Sequence, residues 1–208
     1  MVKMKKVSTA NPLYGLVLIG GRSTRMRKDK ALLKYHGKSQ AIYTYELLLQ
    51  FCEKVFFSIR PDQTDLKIIQ GYPYLSDAAP YLDIGPLGGI LSAMKAFPKA
   101  AWLALSCDLP FLKSSTLKHL IASRDVKKLA TAYQSANDYL PEPLCAIYES
   151  HGRKKFNAFF KNSVHCPRKI LINSDIELIA LKDKIALNNA NEPKEYLQAL
   201  KILKGSLP

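Results

Sequence analysis

The sequence predicts an α/β fold in which helices cover both faces of a mostly parallel sheet. Short apolar segments alternate with amphipathic segments along almost the whole chain. The apolar segments lack the polar alternation of half-exposed strands, which is typical of strands buried on both faces. A chain of 208 residues with 48% hydrophobic composition can form one sizeable core. We therefore predict a single domain, 1–208.

The individual strands and helices follow from the spacing of the apolar residues. Predicted strands are Gly15–Ile19, Val55–Ile59, Ala101–Leu105, Leu129–Tyr133, Leu144–Tyr148, Ile176–Ile179 and Ile185–Leu187. Predicted helices are Ala41–Phe51, Pro86–Phe97, Ser115–Ser123, Gly152–Asn162, Pro167–Ile172 and Pro193–Leu203. The pattern changes near residue 135, which divides the domain into a first half, about 12–135, and a C-terminal subregion, about 136–208.

The net charge favours anionic partners. Lys and Arg number 31 against 17 Asp and Glu, a formal balance of +14. No zinc-finger spacing, basic zipper heptad or aromatic ribonucleoprotein motif is present, so we expect small phosphorylated ligands rather than nucleic acid. The N-terminal segment 1–11 lacks the apolar core of a signal peptide, and no apolar run approaches the ~20 residues of a membrane span. We expect a cytoplasmic protein without a membrane contact.

The cysteines predict free thiols. They are widely separated, form no C-x-x-C pair and lie mostly in apolar runs, which favours buried thiols in a reducing compartment. His165 precedes one of them, but no second ligand pair with metal-site spacing accompanies it. The four are Cys52, Cys107, Cys145 and Cys166.

A glycine-rich and basic loop follows the first predicted strand. Gly20 and Gly21 allow backbone N–H groups to approach an anion, and a crowded set of cations would be stabilised by a ligand with several charges. A nucleoside triphosphate fits this pattern, although neither G-x-G-x-x-G nor G-x-x-x-x-G-K-[ST] occurs here. A solvated basic face is the alternative. The cations are Arg22, Arg25, Arg27, Lys28 and Lys30.

Asp108 is the candidate metal ligand. It lies in the segment Ser106–Pro110, where a predicted strand ends. Mg²⁺ prefers oxygen ligands and commonly takes one or two protein carboxylates, several waters and substrate phosphates. The alternative is that Asp108 caps the turn before Pro110 or the helix near Ser115.

Two further signals fall at the same predicted edge of the sheet. Asp77 lies in a loop, and Gly85–Gly89 opens a helix whose first N–H groups can accept an anion or a polar base edge. Alternatively, Gly88 and Gly89 permit close helix packing, and Asp77 satisfies loop backbone.

Six motifs follow one another along most of the chain. They are Leu18-Ile19-Gly20-Gly21-x-Ser23-x-Arg25-Met26-x-x-Asp29-Lys30, Asp77, Gly85-Pro86-Leu87-Gly88-Gly89, Cys107-Asp108-x-Pro110, Pro143–Tyr148 and Asn189–Pro193. Their order resembles the molybdenum cofactor guanylyltransferases. The resemblance implies a three-layer Rossmann-like fold of the nucleotidyltransferase type. It also implies an Mg²⁺-dependent enzyme that transfers GMP from GTP to the phosphate of molybdopterin and releases pyrophosphate.

The resemblance and the chemistry of the reaction assign roles to particular residues. Arg25, Lys30 and Asp108 are the predicted catalytic residues, and Asp108 also holds Mg²⁺. The predicted nucleotide-binding residues are Leu18, Ile19, Gly20, Gly21, Lys30, Ser58, Asp77, Gly85, Pro86, Leu87 and Asp108. The resemblance places the acceptor against Arg168, Lys169, Asn189 and Asn191. The chain departs from the family pattern at Arg27, Ser58, Glu142 and Glu192.

The end of the first strand bears on the choice of base. Leu18–Gly21 is similar to the Leu-Ala-Gly-Gly of guanylyl members rather than the Thr-Ala-Ala-Gly of cytidylyl enzymes, which predicts GTP and a core-facing Ile19. A cytidylyltransferase or a transferase with a sugar-phosphate acceptor is the nearest alternative, and a nonenzymatic nucleotide- or nucleic-acid-binding protein is another. The guanylyltransferase hypothesis also implies molybdenum-insertion proteins and molybdoenzyme chaperones as partners.

Overall fold

A central sheet organises the protein, whose computed structural model describes residues 11–19, 30–190 and 192–205. Its strands in that part of the chain are β1 (Leu13–Leu18), β2 (Lys54–Ile59), β3 (Tyr74–Ser76), β4 (Ala101–Ser106), β5 (Ala130–Gln134), β6 (Pro141–Tyr148) and β7 (Glu177–Ala180). The helices are α1 (Gln40–Leu49), α2 (Pro86–Ala96), α3 (Ser114–Ala122), α4 (Arg153–Lys161), α5 (Pro167–Ile172) and α6 (Pro193–Leu203).

The strand order is β3-β2-β1-β4-β6-β5-β7, and the sheet is mostly parallel, as predicted. Only β6 among these strands runs against its neighbours, β4 and β5. Leu18 pairs with both Ser58 and Ser106, so the carboxyl ends of β1, β2 and β4 lie side by side. Leu105 pairs with Cys145, so the residues that begin β6 reach the same edge.

The core has two layers, one on each face of the sheet. Val17 packs with residues of α1 and α3, whereas its neighbour Leu16 packs with residues of α2, α4 and α5. Successive side chains of a strand point to opposite faces, so a continuous apolar strand serves both layers. The predicted three-layer α/β fold is confirmed.

The C-terminal helix forms a separate contact. Ala199 of α6 packs in a small cluster with Leu33, Tyr35 and Phe111. The Tyr196 hydroxyl also donates a hydrogen bond to the Lys34 carbonyl at 3.3 Å. This cluster fixes α6 beside the segment that follows β4.

Two element predictions were wrong. The predicted strand at 185–187 is a turn, in which the Ala186 N–H donates to the Asp183 carbonyl, and the buried Ala186 packs into the interior without joining the sheet. The strand β3 was missed because three residues after Pro73 are too short to show a pattern. In the described part of the chain, no helix is long and apolar enough to cross a membrane.

All four cysteines are free, as predicted. Cys52, Cys107 and Cys145 are buried, and burial raises the pKa of Cys52 to about 12, which keeps that thiol protonated. Cys166 is exposed, so its predicted burial was wrong. It precedes α5, and it is the next residue, Pro167, that turns inward.

Candidate active site

The candidate site lies at the edge where β1, β2 and β4 end. The Ile19 N–H donates to the Ser58 carbonyl at 3.3 Å, so the chain leaving β1 stays beside the end of β2. Ile19 is 3% exposed and packs in the core, which confirms its predicted direction. Leu18 is buried on the opposite face. These two predicted nucleotide-binding residues therefore offer a ligand mainly their backbone groups.

The predicted phosphate loop lies outside the described residues. This applies to Gly20, Gly21 and Arg25, and also to Asn191 near the C-terminus. Lys30 begins a short 3₁₀ helix, Lys30–Leu32, and only its backbone is described. The roles of these residues remain predictions.

Asp108 lies two residues after the end of β4 and is half-buried. The Ser106 hydroxyl donates to its Oδ1 at 2.6 Å, and the Ala190 N–H donates to its main-chain carbonyl at 3.2 Å. Helix α3 has Lys113 as its N-cap residue and no side-chain cap hydrogen bond, so Asp108 does not cap it. The turn therefore holds the Asp108 carboxylate just beyond the carboxyl end of β4.

The donor set at Asp108 suits Mg²⁺. Among the residues that the structure describes, no group of three or more His, Cys, Asp and Glu side chains could hold a metal ion. A closed protein cage such as a zinc site is therefore not built there, whereas Mg²⁺ needs only one or two carboxylates because waters and substrate phosphates complete its coordination. The single carboxylate of Asp108 fits that chemistry.

Asp77 lies just after β3, and one of its carboxylate oxygens has no hydrogen-bond partner among the described residues. Its N–H donates to the Ile59 carbonyl at 2.9 Å, which fixes its backbone. Its Oδ1 is buried, and no described residue hydrogen-bonds to it. Burial raises the pKa of Asp77 to about 6, Arg60 acts in the opposite direction and Asp83 adds to the rise. A bound N–H or O–H donor would satisfy this oxygen.

The start of α2 packs very closely on the end of β2. A Cβ at Gly89 would lie 2.1 Å from the Ser58 hydroxyl oxygen, and one at Gly88 would lie 2.4 Å from the Tyr81 carbonyl oxygen. Both positions therefore require glycine for packing, as the alternative interpretation held. The same packing places Gly88 beside Asp77, whose Oδ2 would be 3.4 Å from the added Cβ.

The other predicted residues of this helix start differ in what they can offer. Gly85 has a φ of +66°, a conformation that favours glycine, and Pro86 occupies the first turn and is exposed. Leu87 is 2% exposed and its side chain packs in the core. Leu87 thus has only its backbone available to a ligand.

A cavity of about 600 Å³ has Asp108 in its wall. Its walls come from the end of β4, the β5–β6 hairpin, α5, the segment before α6 and α6 itself. Two predicted acceptor residues, Arg168 and Asn189, line it. Lys169 is exposed and lies outside that lining.

Arg168 is held by two carboxylates. Its Nη1 donates to Asp138 Oδ2 at 2.7 Å and its Nη2 donates to Glu142 Oε2 at 3.0 Å. The Leu140 N–H and Arg168 are among the donors that lower the pKa of Asp138, and this N–H contributes most. The guanidinium is thereby fixed at the cavity wall.

The remaining charged lining of the cavity was missed from the sequence. Asp138, Glu142 and Glu195 face the cavity together with Asp108. Glu142 was noted only as a departure from a family pattern, and the hairpin that carries Asp138 was not predicted to reach this edge. The signal was available in the polar residues that separate two predicted apolar strands, 135–142.

Several solved structures share this fold. A molybdopterin-guanine dinucleotide biosynthesis protein A from Archaeoglobus fulgidus superposes with a TM-score of 0.75 at 21% identity, over 92% of this chain and 99% of that one. A nucleotidyl transferase from Methanothermobacter thermautotrophicus gives a TM-score of 0.74 at 14% identity, over 95% of this chain and 100% of that one. These identities show the fold alone.

Sequence relatives show the family. A molybdenum cofactor biosynthesis bifunctional protein from Synechocystis is 40% identical over 90% of this chain, which spans only 53% of that protein. A probable molybdenum cofactor guanylyltransferase from Nostoc is 28% identical over 89% of each chain. The family model of the MobA-like NTP transferase domain matches residues 15–173. The predicted family and nucleotidyltransferase class are confirmed, and the chain belongs to the MobA-like NTP transferase domain family.

Proposed function

We propose that this chain transfers GMP from GTP to the terminal phosphate of molybdopterin. The observation that carries the proposal is the position of Asp108. It lies two residues beyond the end of β4 and lines the cavity of about 600 Å³. The residues proposed to bind the nucleotide lie on the other side of β1 in the sheet, at the end of β2 and the start of α2. A carboxylate between a nucleotide site and an acceptor cavity is where a metal-assisted transfer requires one.

The nucleoside lies against Asp77 and the start of α2. The buried Oδ1 of Asp77 accepts a donor of the guanosine, and the first N–H groups of α2 face its polar atoms. Ser58 stands at the end of β2 where an asparagine is common in similar enzymes, and its hydroxyl lies against Gly89. The phosphates lie against Gly20, Gly21, Arg25 and Lys30.

Asp108 would hold Mg²⁺. An ion bound there would neutralise the negative charge that develops on the phosphates as pyrophosphate leaves. Ser106 orients the carboxylate through its 2.6 Å hydrogen bond to Oδ1. The chain itself contributes position and fixed charge rather than a covalent intermediate.

The acceptor occupies the cavity beside Asp108. Arg168 faces its phosphate, and Asn189 and Asn191 supply further polar groups. Asp138 and Glu142, which hold Arg168 in place, also present carboxylate oxygens that suit the amino and N–H groups of a pterin ring. Lys169 has a weaker case because its side chain lies outside the cavity lining.

The reaction is an in-line displacement. An oxygen of the acceptor phosphate forms a bond to the α-phosphorus of GTP, and the bond from that phosphorus to the oxygen bridging to the β-phosphate breaks. Pyrophosphate leaves with its electron pair, and Lys30 and Arg25 stabilise the charge at the α-phosphate and on the leaving group. The residues act by orientation and by exclusion of water from the α-phosphate.

The proposal also divides the chain by function. Residues of about 12–135 bind the nucleotide and those of about 136–208 bind the acceptor, within one domain. Asp108 belongs to the first half by sequence and lines the cavity of the second, so it is the contact between the two half-sites.

Transfer assays with GTP and CTP test the proposal. Pyrophosphate release and the mass of the product are measured with molybdopterin as acceptor in the presence of Mg²⁺. We expect a dinucleotide product from GTP and almost none from CTP, because a site that hydrogen-bonds one base leaves its buried polar groups unpaired with another. Comparable kcat/KM values, or a preference for CTP, would contradict the guanylyl assignment.

A further inference from the structure

Three side chains of one short segment donate hydrogen bonds to the turn that carries Asp108. The His36 Nε2–H donates to the Pro110 carbonyl at 2.9 Å, and the Gln40 Nε2 donates to the Leu109 carbonyl at 3.0 Å. The Tyr43 hydroxyl donates to the Leu112 carbonyl at 3.1 Å. We refer to residues 108–112 as the Asp108 turn and to the three donors as the clasp.

The clasp constrains the backbone of the Asp108 turn. Its acceptors are main-chain carbonyls of an irregular segment between β4 and α3. Apolar packing tolerates small shifts of such a segment. A buried hydrogen bond is lost when its acceptor moves, and the donor left without a partner then costs its full desolvation free energy. Gln40 is 1% exposed, so water cannot readily replace its contact.

Two of the donors also contact each other. The rings of His36 and Tyr43 stack with centroids 3.8 Å apart at an interplanar angle of 18°. The Gln40 N–H donates to the Leu33 carbonyl at 2.7 Å, which anchors the start of α1 to the preceding segment. The clasp therefore combines a stacked pair of rings with a separately anchored, buried amide.

The clasp follows the predicted phosphate loop directly in sequence. Lys30–Leu32 forms the short helix after that loop. The backbone of Lys34 pairs with that of Ser39 in an isolated antiparallel β-bridge just before α1. The segment that carries Lys30 is thus tied, within a few residues, to the turn that carries Asp108. The two are 78 residues apart in the sequence (108 − 30).

We infer that His36, Gln40 and Tyr43 are positioning residues that hold the Asp108 turn, and with it the Asp108 carboxylate, against residues 36–43 and so set the affinity for the metal–triphosphate complex. The inference rests on the proposed function for the role of Asp108. The clasp residues act through the backbone of the Asp108 turn, to whose carbonyls they donate.

A matched pair of tyrosines on α1 supplies the test. Tyr43→Phe removes the hydroxyl that holds the Asp108 turn and keeps the ring on His36. Tyr45→Phe removes a hydroxyl that donates to the Val55 carbonyl of β2 at 3.3 Å, on the same helix and away from the turn. His36→Phe, alone and combined with Tyr43→Phe, removes a second donor and keeps a ring in the stack.

The main readout is the Mn²⁺ concentration that gives half of the GTP-induced rise in melting temperature, which requires neither acceptor nor turnover. We expect the His36→Phe/Tyr43→Phe protein to need about tenfold more Mn²⁺ than the parent, as loss of residues that orient a metal ligand commonly produces. Tyr45→Phe is expected to stay within about twofold of the parent. The melting temperature without ligand, measured for every variant, corrects for a general loss of stability.

The outcomes separate the inference from the proposed function. An Mn²⁺ requirement of the His36→Phe/Tyr43→Phe protein within about twofold of the parent, as for Tyr45→Phe, overturns the inference and leaves a purely structural contact. A parent protein that fails to transfer GMP, but whose Mn²⁺ requirement rises in the clasp variants, overturns the proposed function alone. A parent without any Mn²⁺-dependent response to GTP overturns both.

Discussion

The parallel and antiparallel parts of the sheet build their halves of the site in different ways. In the parallel part, β2, β1 and β4 end at one edge, and the residues that follow them in sequence are those that reach the site. In the other part, β6 runs the opposite way and brings its first residues to that edge. The rule that ligands bind beyond the carboxyl ends of strands therefore identifies Asp77 and Asp108 and overlooks Glu142.

The two parts also differ in their electrostatics. The nucleotide side has one buried carboxyl oxygen without a described partner, at Asp77. The cavity side has carboxylates that are already paired with Arg168. Under the proposed function, a nucleotide would supply the missing donor to Asp77, whereas an acceptor would meet an ion pair that is already formed. The predictions below test this contrast.

The largest effect is expected at Asp108, where the two parts meet. Asp108→Ala should lower turnover about a thousandfold and remove the Mg²⁺ dependence of GTP binding, because charge on the departing pyrophosphate is no longer neutralised. Steady-state kinetics and GTP titrations with and without Mg²⁺ measure this. Asp175→Ala, at an exposed carboxylate paired with Lys128, is the control. Unchanged turnover with a loss of about 1 kcal/mol in unfolding free energy would instead assign a turn cap.

Lys30 is expected to affect the nucleotide side alone. Lys30→Ala should lower kcat about a hundredfold and change GTP affinity much less, because its charge is needed most in the transition state. Lys34→Ala, an exposed lysine four positions further on, should leave both values unchanged. Equal kinetics for the two variants would show that the loop is only a solvated basic face.

Arg168 and Lys169 form a matched pair on the acceptor side. Arg168→Ala should raise the KM for molybdopterin about 10- to 100-fold, the usual loss for a hydrogen bond to a charged group, and leave the KM for GTP unchanged. Lys169→Ala should have little effect because its side chain lies outside the cavity lining. An equal fall in GTP affinity for Arg168→Ala would mean that the C-terminal subregion completes the nucleotide pocket.

The smallest effect is the pH dependence from Asp77. Its pKa is raised by burial to about 6, so the carboxylate that accepts from the nucleoside becomes protonated below that pH. The Kd for GTP should therefore rise about tenfold from pH 7 to pH 5. Asp77→Asn keeps an acceptor oxygen without titrating, and its Kd should vary less over this range. A similar pH profile for both proteins would contradict the assignment.

The same pKa shift has a consequence for the unliganded fold. A carboxyl whose pKa is raised in the folded state binds its proton more tightly there than in the unfolded chain, so it lowers stability as pH rises from about 4 to about 6. Asp77→Asn should remove that part of the pH dependence of the melting temperature. This measurement needs no substrate and checks the burial of Asp77 independently.

The local sequence pattern predicted much of the nucleotide half. The reason is that parallel strands end at one edge of the sheet, so the residues that directly follow these strands in the sequence lie at the site. The apolar run before Asp108 predicted both a buried strand and the place where the carboxylate emerges. Pro86 likewise predicted the start of α2, where the structure has it. The segment at 185–187 failed because an apolar run of three residues fits a buried turn as well as a strand.

The sequence by itself determined the fold class, the family and the strand end that carries Asp108, because these depend on periodicity and on motifs a few residues long. Only the tertiary structure decided that β6 is antiparallel, that Asp138 and Glu142 hold Arg168, and that Lys169 lies outside the cavity lining. The clasp was also decided only by the tertiary structure, since the hydrogen-bonded residues His36 and Pro110 are 74 positions apart in the sequence. Such contacts depend on how elements pack, and no local pattern encodes the distance between two side chains that are far apart in the chain.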